Sequence, residues 1–177
     1  MSHRDVLISV VGRDRPGIVE SVTRSMVGQR GNVLESRLAK LGGEFAGFFL
    51  VRLDEGRVEA LDQALAADSD GLDIRVRVLE SDSDSPHGGV PYRLVVSGAD
   101  HEGIIHDFGA LLARSGVNIA NMRTVVKPSP ITGTPLFSMR ATLEVPLTVP
   151  LKVLRADLEA ICEAEAVEAE LNIITGS

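Results

Sequence analysis

The sequence contains no tryptophan and a single cysteine, and aromatic residues make up 3% of its 177 residues. With so few aromatic residues, a hydrophobic core has to be built mainly from Val, Leu, Ile and Ala. The single cysteine, Cys162, excludes an intrachain disulfide and a zinc site built from paired cysteines. Its spacing from Leu154 and Leu158 continues a helical apolar series, which predicts a small core residue.

Basic residues are also scarce: 18 Lys and Arg stand against 25 Asp and Glu, for a net charge of −7. Because a protein that binds DNA phosphates needs clustered Lys and Arg, we expect no direct binding to nucleic acid. No apolar run approaches the length of a membrane span, and the start "MSHRD" lacks the apolar segment of a signal peptide. These absences predict no membrane association and a cytoplasmic location.

What the chain does contain is an internal repeat. Residues 7–37 and 93–123 align without a gap at a constant offset of 86. Ile18, Val19, Val22 and Met26 fall on apolar residues of the second copy, a spacing that predicts one apolar face of a helix in each copy. A repeat of this length indicates a duplicated domain rather than a solenoid of short units. The identical pairs are Gly12 with Gly98, Asp14 with Asp100, Gly17 with Gly103, Asn32 with Asn118 and Arg37 with Arg123.

The remainder of each copy follows the same plan. Alternating apolar patterns predict strands at 44–53 and 135–145 and closing strands at 72–79 and 167–174. Between them, Val58, Leu61 and Leu65 match Leu151, Leu154 and Leu158 at helical spacing. The order strand, helix, strand, strand, helix, strand predicts an α+β protein of two ferredoxin-like βαββαβ domains, each a four-stranded antiparallel sheet with two helices on one face. We place the domains at 1–80 and 91–177, joined by a polar linker at 81–90.

The stretch "GRDRPG", residues 12–17, joins the first strand to the first helix, and two interpretations stay open. Pro16 suits the first position of a helix and Asp14 can cap its start, so the stretch can be purely structural. Retained glycines also let a ligand approach the backbone, and free amides at a helix start can hold a carboxylate. The second copy keeps Asp100 and Gly103 while losing the Arg-Pro pair, which favours the ligand-binding interpretation.

With "GRDRPGIV" after a strand, and "GNV" and "GVNI" opening the second strands, the chain resembles the ACT domain family over about residues 4–80 and 91–175. Two such domains with nothing attached most resemble the glycine cleavage system transcriptional repressor group. The resemblance implies a non-enzymatic regulatory protein that binds a small amino acid at interfaces between ACT domains and acts through a protein partner. It implies no cofactor and no catalytic residue.

The resemblance also implies where the ligand binds: in the loop before the first helix of one copy and at the start of strand 2 of a neighbouring copy. The second loop departs from the pattern, because Glu102 places an acidic group where a ligand carboxylate would approach. That loop is expected to bind weakly, to bind another ligand, or not to bind. Carried over by position, the ligand-binding residues are Asp14, Arg15, Gly17, Ile18 and Asn32, and Asp100, His101, Gly103, Ile104 and Asn118.

Other function classes stay open beside this one. An allosteric subunit that docks on a metabolic enzyme fits the same resemblance, and a ferredoxin-like fold also occurs in enzymes. A metal site is not expected, because His101 and His106 lie five residues apart and point to different sides of a helix.

Two surface features carry further expectations. Phe48 and Leu50 alternate with the core residues of their strand and should project from the open face of the sheet. Either the linker or another loop covers them, or they form a homodimer or partner contact, and we favour the contact. Arg37 and Arg123 recur on strand 2, either on a solvated face or in a salt bridge to a ligand or to the other copy.

Overall fold

The computed structural model describes residues 2–80 and 89–175. The chain divides into two compact units, Met1–Asp84 and Ser85–Ser177, each with its own hydrophobic core. Both units have the predicted order of strands and helices, so the α+β fold of two ferredoxin-like βαββαβ domains is confirmed. Most of the predicted linker, residues 81–88, lies outside the described residues.

The first unit is a four-stranded antiparallel sheet in the order β2-β3-β1-β4. A short 3-10 turn, Glu55–Arg57, precedes its second helix. The elements are β1 (His3–Arg13), α1 (Ile18–Gly28), β2 (Asn32–Leu41), β3 (Glu44–Asp54), α2 (Val58–Ala67) and β4 (Asp73–Val78).

The second unit repeats this topology in the order β6-β7-β5-β8. The first helices begin at Ile18 and Ile104, and the second helices at Val58 and Leu151, which are pairs that the alignment of the two copies matches. The elements are β5 (Val90–Ala99), α3 (Ile104–Arg114), β6 (Asn118–Pro128), β7 (Pro135–Val145), α4 (Leu151–Glu165) and β8 (Val167–Ile173).

Each core lies between the two helices and one face of the sheet. The predicted alternation of the third strand is confirmed in both units, since every second residue of β3 and of β7 is buried. Leu61 and Leu65 of α2 and Leu154 and Leu158 of α4 are buried from the helix side. Cys162 is partly buried against the second core, and this burial raises the pKa of its thiol.

The predicted core face of the first helices is wrong at one position in each copy. Ile18, Val22 and Met26 are buried, but Val19 is 41% exposed. Ile105, at the same point of the second copy, is 44% exposed. Adjacent residues of a helix are about 100° apart around its axis, so Val19 lies on the flank, while Ser25 completes the buried stripe.

The face of each sheet away from the helices is open within its own unit, and the two open faces differ chemically. In the first unit Phe48 is 51% exposed and Leu50 is half-buried, which confirms that both project from the open face. The matching strand of the second unit presents Ser138, Arg140, Thr142 and Glu144 instead. The same fold therefore carries an apolar surface in one copy and a polar, charged surface in the other.

Candidate functional site: the loop before the first helix in each copy

The loop between the first strand and the first helix is held by the same backbone hydrogen bond in both copies. The Asp14 N–H donates to the Gly43 carbonyl at 3.0 Å. At the same point of the second copy, the Asp100 N–H donates to the Pro135 carbonyl at 3.0 Å. Each loop is therefore attached to the start of the third strand of its sheet.

Both first helices begin after a glycine with a left-handed backbone. Gly17 precedes α1 with φ 94°, and Gly103 precedes α3 with φ 105°. Because side chains with a Cβ atom are strained in this conformation, glycine is required at both positions. Within the described residues, no side chain caps either helix. The N–H groups of each first turn thus lack a side-chain acceptor, an arrangement suited to a ligand carboxylate.

The two structural predictions for this loop are wrong. The Asp14 carboxylate pairs with Nζ of Lys40 on β2 instead of capping α1. An ammonium group attracts a carboxylate more strongly than a neutral amide does, which explains the choice. Pro16 lies outside the helix, because α1 begins at Ile18, after the left-handed Gly17.

The basic residue of each loop is engaged by an acidic residue near the end of the second helix. In the first copy, Arg15 Nη2 lies 2.7 Å from Asp70 Oδ2. In the second copy, His101 Nε2 lies 2.8 Å from the Glu165 carbonyl oxygen, and its Nδ1 lies 3.6 Å from Glu165 Oε2. A ligand carboxylate therefore has to compete with Asp70 to reach Arg15, and with Glu165 to reach His101.

The hydrogen bonds of His101 predict a pH-dependent stability of the second unit. Its two ring nitrogens face the carbonyl oxygens of Glu102 and Glu165, and only a doubly protonated ring donates to both. The hydrogen bond to Glu165, followed by that to Glu102, raises the pKa of His101 above its usual 6.5. Since the folded-state pKa is raised, the stabilisation is complete below about pH 6.5 and is lost as the pH rises through the folded-state pKa.

We expect His101→Gln to flatten this part of the pH profile of unfolding, measured by chemical denaturation at several pH values. His106→Gln is the matched control, because His106 is exposed on α3. A profile that keeps its slope in His101→Gln and loses it in His106→Gln would assign the effect to the wrong histidine.

Ile18 and Ile104 can offer a ligand only their backbone. Their side chains are 2% and 1% exposed and belong to the two cores. What each contributes to the loop is the first N–H of its helix.

The candidate asparagines lie at the other end of each sheet from the loops. Asn32 is opposite Arg52 of β3, and Arg52 is opposite Asp5 near the start of β1. Asp14 follows the end of β1, about 30 Å away along a strand of this length. Asn118 has the equivalent position at the start of β6, opposite Glu144. No single unit can therefore bring its own loop and its own asparagine onto one small ligand.

The two asparagines also have different neighbours. Arg52 binds Asp5 through two hydrogen bonds of 2.7 and 2.8 Å, which lower the pKa of Asp5. Asn118, by contrast, donates from Nδ2 to Glu144 Oε2 at 2.7 Å. One copy thus presents an exposed amide beside a guanidinium, while the other presents an amide already bound to a carboxylate.

Sequence reasoning missed the acidic and basic partners of these residues. They are distant in the chain, as in the pair of His101 with Glu165 at a separation of 64 residues. A local motif does not show such pairs. The available signal was the presence of an acidic residue near the end of the second helix in both copies. The missed partners are Lys40, Asp70, Glu144 and Glu165.

Within 2–80 and 89–175, no group of three or more His, Cys, Asp and Glu side chains is placed to hold a metal ion. The helices described in those ranges are all too short or too polar to cross a membrane.

The fold and the loops define the class of protein. Residues 4–79 match the family model of the ACT domain, so the first unit belongs to the ACT domain family. The second unit repeats the sequence pattern and the topology of the first.

Similarity to known proteins extends over the whole chain. The glycine cleavage system transcriptional repressor of Escherichia coli (strain K12) is 25% identical over 178 residues, which cover 99% of this chain and 93% of the repressor. A crystal structure of an unknown protein from Galdieria sulphuraria superposes with a TM-score of 0.88 at 30% identity, covering 98% of this chain and all of that one. A candidate glycine cleavage system transcriptional repressor shares the fold, with a TM-score of 0.70 at 24% identity over 98% of this chain and 99% of its own.

Proposed function

We propose that the chain is a non-enzymatic regulatory protein that binds a small amino acid at an interface between ACT domains and acts through a protein partner. The observation that carries this proposal is the uncapped start of α1 and α3 after a left-handed glycine, repeated at the same place in both units. Whole-chain similarity to a transcriptional repressor supports a regulatory role.

The chemistry of the proposed site suits a zwitterion. First-turn N–H groups of α1 can donate hydrogen bonds to the carboxylate of an amino acid, and an asparagine side chain offers both a donor and an acceptor to its two ends. Because Asn32 and the loop of the same unit lie at opposite ends of the sheet, the ligand would contact the loop of one ACT domain and the asparagine of another. This geometry agrees with the interface site that the family resemblance implies.

The first-copy residues are the better candidates for this ligand. Asn32 is exposed beside Arg52, whereas Asn118 is bound to Glu144. In the second loop Glu102 adds a further carboxylate close to the helix start, which would repel the carboxylate of a ligand.

The charge of the chain supports action through a protein partner. A net charge of −7 opposes direct contact with DNA phosphates, so repression would require a second protein that contacts DNA. The alternative partner is a metabolic enzyme that this chain regulates as an allosteric subunit. Retention from a lysate of a transcription factor supports the first, and retention of an enzyme supports the second.

We further propose that the chain is a homodimer through the open face of the first unit. That face has an apolar depression of about 430 Å³ lined by Leu7, Phe48, Leu50 and Leu79, with Glu35, Ser36 and Arg37 at one side. A two-fold axis would place this surface against itself and remove the apolar side chains from water.

A ligand screen followed by calorimetry tests the proposed site. We expect one or more of the twenty amino acids to raise the melting temperature, because a ligand that binds only the native state stabilises it. Asn32→Ala should then weaken binding of that amino acid roughly fivefold, the value of about 1 kcal/mol for one hydrogen bond, and Asn118→Ala should weaken it less. Asn121→Ala, an exposed asparagine elsewhere on β6, is the matched control. Unchanged affinity in both Asn32→Ala and Asn118→Ala would show that the site is elsewhere.

A further inference from the structure

A basic groove crosses the open face of the second sheet between β6 and β7. Arg123 of β6 lies directly opposite Arg140 of β7, and Lys127 lies opposite Leu136 at the other end. Val125 and Ser138 form the register pair between these two ends. Together these six side chains line a depression of about 360 Å³, which is within the range of small-ligand pockets.

The positive charge of this groove is not neutralised by the second unit. In the part of the chain that the structure describes, no carboxylate lies within 4.0 Å of a charged nitrogen of Arg123, Arg140 or Lys127. Of the open-face carboxylates, Glu144 on β7 accepts a hydrogen bond from Asn118, and Glu168 and Glu170 are on β8, which is two strands away from β7. Since like charges opposite each other on adjacent strands destabilise a sheet, this pair of arginines is unfavourable without an anion.

The repeat shows what is special about this pair. Arg37 has the position of Arg123 in the first sheet, but its Nε lies 3.1 Å from Glu35 Oε1 and it is opposite the apolar Phe48. In the second copy Asn121 replaces that glutamate and Arg140 replaces that phenylalanine. The neutral ion pair of one copy has therefore become two adjacent uncompensated cations in the other.

We propose that this groove binds a small molecule with two or more oxyanion groups, carboxylate or phosphate. One group would lie between the guanidinium groups of Arg123 and Arg140, which offer paired N–H donors to an oxyanion. The Ser138 hydroxyl supplies a further donor on the floor, and Lys127 contacts the second group. Four residues of strand separate Arg123 from Lys127, about 13 Å between their Cα atoms, and both long side chains can reach inward from that distance. The groove lies five residues along β6 from Asn118, and the first turn of α3 is on the helix side of the sheet, so this ligand is separate from the proposed amino acid.

The test uses the full chain and two named probes, pyrophosphate and citrate, at constant ionic strength. We expect at least one of them to raise the melting temperature of the wild type and to bind in calorimetry. Arg123→Gln and Arg140→Gln should each weaken that binding at least about fivefold, the loss expected for a charge-assisted contact. Arg37→Gln is the matched control and should bind the probe as the wild type does. Neither groove variant should be less stable than the wild type without probe, because each removes one member of a like-charge pair.

The two probes also separate the two oxyanion classes. Binding of pyrophosphate alone assigns the groove to phosphate-bearing ligands, and binding of citrate alone assigns it to polycarboxylates. Binding that is equal in the wild type, Arg123→Gln and Arg140→Gln overturns the proposal, as does the failure of both probes to bind. An oligoglutamate peptide that binds through these arginines where both probes fail would overturn it in favour of an acidic protein segment.

Discussion

Phe108→Ala is expected to lower the free energy of unfolding of the second unit by about 3–5 kcal/mol, the usual cost of removing a buried phenylalanine ring. Phe108 is 1% exposed and lies on α3 in the middle of the second core. Its equivalent in the first copy is Val22, so the second core depends on this ring for volume that the first core obtains elsewhere. The loss combines the transfer free energy of the ring with the cost of the cavity that the surrounding side chains cannot fill.

The chain carries a natural probe for this measurement. Tyr92 is the only tyrosine, tryptophan is absent, and Tyr92 is partly buried against the second core. Tyrosine fluorescence during denaturation should therefore follow the second unit, while circular dichroism follows both. Leu61→Ala, which removes a buried side chain from the first core, is the matched control and should leave the fluorescence transition in place. If Leu61→Ala moves that transition as far as Phe108→Ala does, the two units unfold together and the proposed domain division does not describe their stability.

The fold could be predicted because the two copies support each other. A short apolar run such as 44–53 is ambiguous when it occurs once, but 135–145 repeats its alternation with clearer polar residues between. The repeat likewise indicated that Gly17 and Gly103 matter for the backbone, and both have the left-handed conformation that requires glycine. Because each pattern occurs twice, weak local signals were sufficient to predict the topology.

What could not be predicted depends on contacts between distant parts of the chain. The Asp14 carboxylate was expected at the helix start, but Lys40 on the edge strand takes it. The ion pair of Arg15 with Asp70 and the contact of His101 with Glu165 could not be predicted for the same reason. The side chains of a loop pair with charged groups that the fold brings near from any part of the chain. A six-residue motif contains only a few of those groups. The sequence therefore predicted the backbone of the candidate loops but not their ion pairs.

The double substitution Phe48→Glu with Leu50→Lys is expected to convert the proposed homodimer to a monomer. Burying side chains of this size is worth about 1.5–3 kcal/mol each, so their loss from both protomers removes much of what a modest interface gains. The fold should tolerate the change, because Phe48 is 51% exposed and Leu50 only half-buried. The register even favours it: position 48 is opposite Arg37 and position 50 is opposite Glu35, so each new charge faces its opposite.

Light scattering after size-exclusion chromatography, over a range of protein concentrations, measures this result directly. Circular dichroism should show an unchanged fold and a melting temperature that no longer depends on protein concentration. Leu147→Lys is the matched control: Leu147 is 88% exposed in the connection before α4, and its substitution should leave the dimer intact. A wild type that is monomeric at high concentration would exclude the homodimer and assign the apolar face to a different protein or to the chain's own linker. A double variant that remains dimeric would instead place the dimer interface on another surface, because charged side chains cannot replace these apolar ones in a buried interface without a large desolvation cost.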